Sequence, residues 1–206
     1  MDALSSIVNV SAMSLHVSLL AIAFNPTAWN IVAQNEYRNK TITRIFGGNA
    51  CYGCCYNTCY LLTIMIFSFG MLCDHLYQRA LSDQPQVPML SAPYDILIPV
   101  LLFAIGQLFV VTSTWALGKT GTFLGDYFGI LMDHHVQGFP FNELRNPMYV
   151  GSMMCFIVMA LWYLYEWPAG LLVSLYIYIV YLIALQFEGP FTDMIYSKRA
   201  STKKVL

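Results

Sequence analysis

The chain has 206 residues, of which 58% are hydrophobic and only 10% charged, with a net charge of −1. A soluble domain typically carries about 25% charged residues, so this composition belongs to a membrane protein. Near-neutral charge excludes the basic footprint of a nucleic-acid binder, and the length suits one membrane-embedded domain over residues 1–206.

Ala12–Val32 is the first apolar run. Asn25-Pro26 interrupts it, so it is expected to lie in the membrane, with or without crossing. No basic segment precedes it, which argues against a cleaved signal peptide. Arg38, Lys40 and Arg44 follow as a basic cluster. Tyr52–Cys73 is an uncharged span, entered through Cys51, Cys54, Cys55 and Cys59. These four lie near one helical face, but zinc thiolates usually sit in loops with tetrahedral spacing. Packing cysteines are the expected reading, as for Cys73 and Cys155, and no metal site is expected. Ile96–Leu117 is the cleanest span. It is uncharged, and at about 1.5 Å per residue it covers a hydrocarbon core of roughly 30 Å. Met148–Trp162 and Gly170–Phe187 are two further runs, separated by Glu166-Trp-Pro-Ala169.

Lys198, Arg199, Lys203 and Lys204 make the tail basic, and positive-inside bias predicts it in the cytoplasm. The Arg38–Arg44 cluster shares that side only if an even number of crossings lies between. A single crossing over Met148–Phe187 makes the count odd and sets the two signals in conflict. The expected fold is an all-α integral membrane bundle: an amphipathic or re-entrant N-terminal helix plus three or four transmembrane helices.

Between the apolar runs lies a segment rich in glycine, aromatics and both signs of charge. It comprises Gly121-Thr-Phe-Leu-Gly-Asp-Tyr-Phe-Gly-Ile-Leu131, Gly138-Phe-Pro-Phe-Asn142 and Arg145-Asn-Pro-Met-Tyr-Val-Gly-Ser152. Lipid tolerates irregular backbone only where protein buries it or it lines a polar cavity, so this segment reads as a site. Leu117-Gly-Lys-Thr-Gly121 is not a phosphate loop, because Ser113 stands where its first glycine is required. The sequons Asn9-Val-Ser11 and Asn39-Lys-Thr41 carry little weight. His134-His135 point in different directions on any regular element and make a poor metal pair.

Three further positions each have two readings. Ala104-Ile105-Gly106 brings small residues into a span, for helix packing or for close approach of a ligand. Glu188 ends an apolar run, and Gly189-Pro190 is expected to stop the helix there. A carboxylate at that terminus opposes the helix dipole and needs a cation, either from a ligand or from Arg145 or Lys198. Arg145-Asn-Pro-Met-Tyr149 opens the next run with Pro147 in the first turn, where free N–H groups and Arg145 can hold an anion.

Taken together, these residues resemble the phosphatidylethanolamine N-methyltransferase family, above all its short fungal-type phospholipid methyltransferases. The likeness runs in order from about residue 24 to 200. It includes Phe24-Asn-Pro26 with Trp29-Asn-Ile-Val-Ala33, Ala116-Leu-Gly118, Gly121–Leu131, Phe139-Pro-Phe-Asn142, Asn146-Pro-Met-Tyr149 with Gly151-Ser152, and Glu188 with Pro190-Phe-Thr192 and Ile195-Tyr196. The resemblance implies a multi-pass enzyme of the endoplasmic reticulum membrane, with a mitochondrial membrane as an additional location. It would transfer methyl groups from S-adenosylmethionine to phosphatidyl-N-methylethanolamine and its dimethyl form, ending at phosphatidylcholine.

The family's cofactor segments are a Gly-x-Gly within a span and a Glu-Glu pair. They fall on Ala104-Ile105-Gly106 and Glu188-Gly189, each keeping one of two defining residues. Alanine still permits close approach; glycine at 189 removes a carboxylate, so that one acid suffices, Asp126 substitutes, or cofactor affinity is altered. Arg145 is implied at the lipid phosphate or the cofactor carboxylate, and Tyr127, Phe128 and Tyr149 near the methylated nitrogen. The amine must lose a proton to a nearby base. Asp126 is the preferred acceptor, over Glu143, His134 and His135. Two alternatives remain: an isoprenylcysteine-type carboxyl methyltransferase, which shares an Arg-x-Pro-x-Tyr segment, and a non-catalytic lipid-binding relative.

Overall fold

The structure is a computed structural model that describes residues 7–47, 52–87, 90–132, 136–162 and 168–203. The side chains of Cys51, Cys54 and Cys55, and residues His134 and His135, lie outside the described residues. The elements are α1 (Met13–Asn39), α2 (Thr41–Gly47), α3 (Tyr52–Ser82), α4 (Tyr94–Thr122), a 3-10 turn (Gly125–Phe128), α5 (Pro147–Trp162) and α6 (Pro168–Lys203). Among the described residues four helices are long and apolar enough to cross a membrane: Met13–Asn39, Tyr56–Ser82, Tyr94–Gly118 and Pro168–Lys198. At 16 residues, α5 is shorter than the roughly 20 that a full crossing needs.

The first apolar run is not broken at Asn25-Pro26. α1 runs through it for 27 residues. Asn25 accepts a hydrogen bond from the Trp29 indole, and Asn30 donates one to the Pro26 carbonyl at 3.0 Å. Side chains thus take up polar groups that lipid would leave unsatisfied. Thr27, Thr63, Thr112, Thr114 and Ser174 likewise donate to carbonyls one turn back on their own helices.

α1 packs against α3 and α6, α5 against α4 and α6, and the 3-10 turn touches α1, α3, α4 and α6. α1 and α3 are antiparallel. At one end Ser14 donates to Asp83 at 2.5 Å, and the Gln84 side chain bonds the backbone of Asn9. At the other end the Lys40 ammonium reaches the Tyr127 carbonyl at 3.5 Å, and the Cys59 thiol faces the Phe123 carbonyl.

α5 and α6 are also antiparallel. A Cβ at Gly170 would lie 2.5 Å from the Ala160 Cβ, while Tyr149 meets Glu188 at the Lys40 end. Arg38, Lys40 and Lys198 therefore sit at the same end of the bundle: α3 and α4 leave it and return, and the short α5 forms with α6 a hairpin that returns to it.

The apolar core joins α1, α3 and α6 through Leu15, Ile22, Tyr77, Leu81, Val173 and Ile177. Tyr77 is wholly buried, and its hydroxyl lies 3.2 Å from the carbonyls of both Phe156 and Gly170. The outer surface is apolar: Trp115 is 89% exposed, and Phe67, Ile96, Leu172 and Phe187 also point outward. In water such a surface would be a liability; in lipid it is the expected exterior.

One helix end differs from expectation. α6 does not stop at Gly189-Pro190 but continues to Lys203. Pro190 is exposed, and its missing N–H removes only one internal bond. Beyond it, Phe191, Met194 and Ile195 bury against α1 and the 3-10 turn, which holds the next two turns in place. Glu188 is therefore an interior helical residue, and the dipole argument made for it from sequence does not apply.

Candidate active site

The site begins where α4 ends. Gly118 departs from helical geometry with φ 65° and ψ 178°, and Leu124 (φ 58°) and Gly129 (φ 83°) flank the 3-10 turn in the left-handed region. Gly125 is obligatory in this turn, since a Cβ there would lie 2.5 Å from the Thr120 carbonyl oxygen. The compact reversal drives Tyr127 and Phe128 into the bundle, leaving them 1% and 2% exposed.

Tyr127 stacks on Phe191 of α6, with ring centroids 5.3 Å apart and planes 1° from parallel. Tyr37 of α1 meets the same ring edge-on at 5.4 Å. The Arg38 guanidinium lies 5.6 Å from the Phe191 centroid, and the Lys198 ammonium 5.7 Å from that of Tyr37. A basic rim thus caps an aromatic stack.

Burial pushes the Tyr127 phenol up to about 12, with the nearby Glu188 and Asp126 carboxylates adding to the effect. Among the described residues its buried hydroxyl has no well-formed hydrogen bond; Thr192 is only a loose neighbour. A buried hydroxyl left in that state costs free energy unless a ligand completes it.

Two carboxylates lie near enough to this phenol to raise it. Asp126, on the 3-10 turn, accepts a hydrogen bond from Tyr196 at 2.8 Å, and the Met132 amide approaches the same Tyr196 oxygen at 3.4 Å. Glu188, on α6, accepts one from Tyr149 of α5 at 2.7 Å. Tyr149 is braced by Tyr181, whose ring lies 4.9 Å away at 68°. Among the described residues Glu188 has no ion pair, so neither Arg145 nor Lys198 neutralises it. Pro147 opens α5, as its fixed φ predicts.

The other sequence candidates are placed differently. Arg145 is exposed just before α5. Glu143 is also exposed and accepts from its neighbour Asn142. Ala104 and Ile105 face outward from α4, Ile105 at 42% exposure. Gly106 is sealed: a Cβ there would lie 2.9 Å from the Gly151 oxygen, and one at Gly151 would lie 2.6 Å from the Gly106 oxygen. At this point α4 and α5 touch backbone to backbone. Gly189 is the opposite case, with nothing within 4 Å of where a Cβ would stand.

Several contributors escaped the sequence reading. Glu36 is fully buried and accepts hydrogen bonds from the Ile42 amide at 2.6 Å and from the Thr43 amide and hydroxyl. It caps the short α2 and fixes the turn at Lys40, whose ammonium reaches the Tyr127 carbonyl. A glutamate six residues before a threonine-rich helix start carries no recognisable signal, because the capping depends on the left-handed Lys40 (φ 52°). Between α1 and α6 lies a cavity of about 550 Å³. Its walls include Pro26, Asn30, Gln34 and Ala184, and it ends at Phe187, beside Glu188. The Asn30 side-chain oxygen is buried and has no partner among the described residues.

The sequence profile of the family described as phospholipid methyltransferase matches residues 94–199. The chain is 55% identical to a phosphatidyl-N-methylethanolamine N-methyltransferase of Neurospora crassa, over 95% of this chain and 88% of that protein. It is 43% identical to the enzyme of that name from Saccharomyces cerevisiae, over 96% and 92% of the two chains. It is 38% identical to a human phosphatidylethanolamine N-methyltransferase, over 91% and 90%. No solved structure matches it. The chain belongs to the phospholipid methyltransferase family and is a methyltransferase of multi-pass membrane architecture.

Proposed function

We propose that this member of the phospholipid methyltransferase family methylates the head-group nitrogen of phosphatidyl-N-methylethanolamine and of its dimethyl form, producing phosphatidylcholine, with S-adenosylmethionine as donor. The observation that carries the reading is the convergence of Glu188 and Asp126 on the buried, incompletely bonded hydroxyl of Tyr127. Two carboxylates beside an orphan donor, with no cation on Glu188 among the described residues, fit a ligand that brings positive charge. Open space at Gly189 leaves room on the same helix. These residues suit S-adenosylmethionine, which when bound supplies an electrophilic methyl group on a cationic sulfur.

Within that frame each side chain has one task. Glu188 balances positive charge, and Tyr149 holds its carboxylate in one orientation. The Tyr127 hydroxyl donates to the ligand. Asp126, oriented by Tyr196, takes the amine proton directly or through one water, since a positioned base is needed to free the nitrogen lone pair. The aromatic faces of Tyr127 and Tyr149 favour the nitrogen as it becomes quaternary. Arg38, Lys40 and Lys198 on the rim, with Arg145 at the surface, pair with the lipid phosphate. The cavity between α1 and α6 takes an acyl chain alongside Phe187. Holding nitrogen and methyl in line can supply on the order of 7–11 kcal/mol in well-oriented systems.

Gly106 takes no direct part in this reading; it sets the α4–α5 spacing that aims Tyr149. By the positive-inside rule the Lys40 end faces the cytoplasm, in the endoplasmic reticulum membrane. The test is methyl transfer from labelled S-adenosylmethionine to phosphatidylethanolamine and its mono- and dimethyl derivatives, in membranes carrying the chain or Glu188→Ala. Activity on the methylated lipids, lost in the variant, supports the assignment. Inserted protein that is inactive on all three lipids overturns it, and a methyl ester formed instead on a prenylated peptide would favour the carboxyl methyltransferase.

A further inference from the structure

A cavity of about 720 Å³ lies between α3, α4 and α5, away from the Glu188–Tyr127 site. α3 and α4 do not pack closely on one another, whereas α5 packs along α4. The inner end of the cavity is formed by Asp74 of α3, Gln107 of α4 and Cys155 of α5. Gln107 and Cys155 stand at the middle of Tyr94–Gly118 and Pro147–Trp162. Asp74 lies roughly 12 Å inside the α3 end at Ser82, at about 1.5 Å per residue. Its carboxylate is thus well inside the hydrocarbon.

From that depth a polar line runs outward. Asp74, Gln78 and Ser82 recur at one-turn spacing, which puts them on one face of α3, and Gln86 continues the line past the helix end. Ser82 and Gln86 are exposed, at the end of the bundle where Ser14 meets Asp83. Phe103, Val158 and Met159 make the facing wall apolar. Among the described residues no ion pair and no hydrogen bond reaches the Asp74 carboxylate. The groups near it, the Tyr181 hydroxyl and the thiols of Cys73 and Cys155, bring no positive charge, and neither His75 nor Arg79 lines the cavity. The Gln107 amide nitrogen is engaged with the Cys155 sulfur at 3.3 Å, so its carbonyl oxygen is the atom left to offer. A lone carboxylate at this depth is costly in lipid. Water reaching it along the Gln78–Ser82–Gln86 line removes much of that cost, and the cavity has room for on the order of twenty waters at about 30 Å³ each.

We propose that this cavity is a water-filled vestibule, open at the Gln84 end, that draws small water-borne cations to Asp74 in the membrane interior. A carboxylate at the closed end of a cleft with low-dielectric walls focuses the potential, so cations are concentrated there and anions are kept out. The ligand class is a small monovalent cation, inorganic or a short ammonium. It takes the Asp74 carboxylate, the amide oxygens of Gln78 and Gln107, and water. The vestibule is distinct from the methylation centre: Tyr181, near Asp74 and in ring contact with Tyr149, is the partition between them.

Cys155 at the inner end and Ser82→Cys at the mouth report on the path. The full chain, in sealed vesicles of uniform orientation, is treated with a membrane-impermeant methanethiosulfonate carrying either a trimethylammonium or a sulfonate group. Modification is followed site by site by peptide mass spectrometry, and each rate is divided by that of a free thiol in solution. From the Gln84 side both positions should react with the cationic reagent. At Cys155 the cation should be favoured about tenfold over the anion, the scale of one charge acting on two opposite probes a few Å away in a wet cleft. Asp74→Asn should bring that ratio to about one without closing the path, and from the Lys40 side Cys155 should stay unmodified. A Cys155 silent to both impermeant reagents overturns the proposal; its labelling by membrane-permeant N-ethylmaleimide would then place lipid or a second copy of the chain in the gap. Equal rates for the two charges, an unchanged preference in folded Asp74→Asn, or modification from the Lys40 side each overturn it as well. Should Asp74→Asn not fold, the charge ratio in the wild type decides.

Discussion

Gly106 and Gly189 fall in the two segments to which the family resemblance gives the same role, holding the methyl donor, yet they sit in opposite surroundings. Gly106 is pressed against Gly151, each oxygen lying 2.9 or 2.6 Å from where the other's Cβ would stand. Gly189 opens onto empty space one residue from Glu188. Small residues at helix crossings in lipid usually serve van der Waals approach, and the α4–α5 seam is of that kind. The α6 region around Glu188 is instead polar, aromatic and incompletely bonded, as ligand sites are. A glycine in a span therefore says little until its neighbour is known.

The sharpest break of this comparison is Glu188→Gln. It keeps an acceptor for Tyr149 but removes the charge, so methyl transfer should drop about 100-fold or more, on the scale of lost transition-state interactions, with the melting temperature nearly unchanged. Equal loss of activity and folding would instead make Glu188 structural. Next is Gly106→Ala. Overpacking a tight seam costs about 1–3 kcal/mol, seen as a lower midpoint in thermal unfolding in detergent. Activity should follow the folded fraction, and a raised KM for the methyl donor at full stability would return Gly106 to the cofactor.

Tyr149→Phe should lower activity about tenfold, the worth of one hydrogen bond to a charged group, without unfolding α5, whose ring contact with Tyr181 remains. Gly189→Glu restores a carboxylate where space exists and replaces a helical glycine, so stability should hold or rise by about 0.5–1 kcal/mol. Tighter binding of the methyl donor, by calorimetry, would extend the open-site reading; a steep loss of stability would refute the open space.

The smallest effect concerns pH. The Tyr127 phenol is raised from 10.0 to about 12, so the folded state holds that proton more tightly than the unfolded state. Its contribution is constant below about pH 10 and is lost as pH rises from 10 toward 12. Tyr127→Phe should flatten the alkaline limb of the stability profile relative to wild type, while at neutral pH loss of the unsatisfied hydroxyl should hold or raise stability. An unchanged limb would mean that this phenol is solvated.

Much of the architecture was legible in the sequence because hydropathy is a local property. Tyr52–Cys73, Ile96–Leu117, Met148–Trp162 and Gly170–Phe187 each lie inside or nearly fill a single helix. Pro147 opens its helix by its fixed φ. Gly189-Pro190 misled for the same local reason: the pair stops isolated helices, and only the burial of Phe191 and Ile195 against α1 and the 3-10 turn carries α6 past it. The return of the chain to the Lys40 end was likewise undecidable until α5 and α6 were seen as antiparallel partners.

The sequence by itself determined that this is a membrane protein, where its chain is apolar enough to span, and which family it resembles, since composition, run length and ordered motifs survive without coordinates. The tertiary structure alone decided that Glu188 answers to Tyr149, that Asp126 answers to Tyr196, that Gly106 is a seam, and that Asp74 faces a cavity. Those facts depend on which helix faces meet across tens of residues. That meeting is set by close packing of whole side-chain surfaces, which no local pattern encodes.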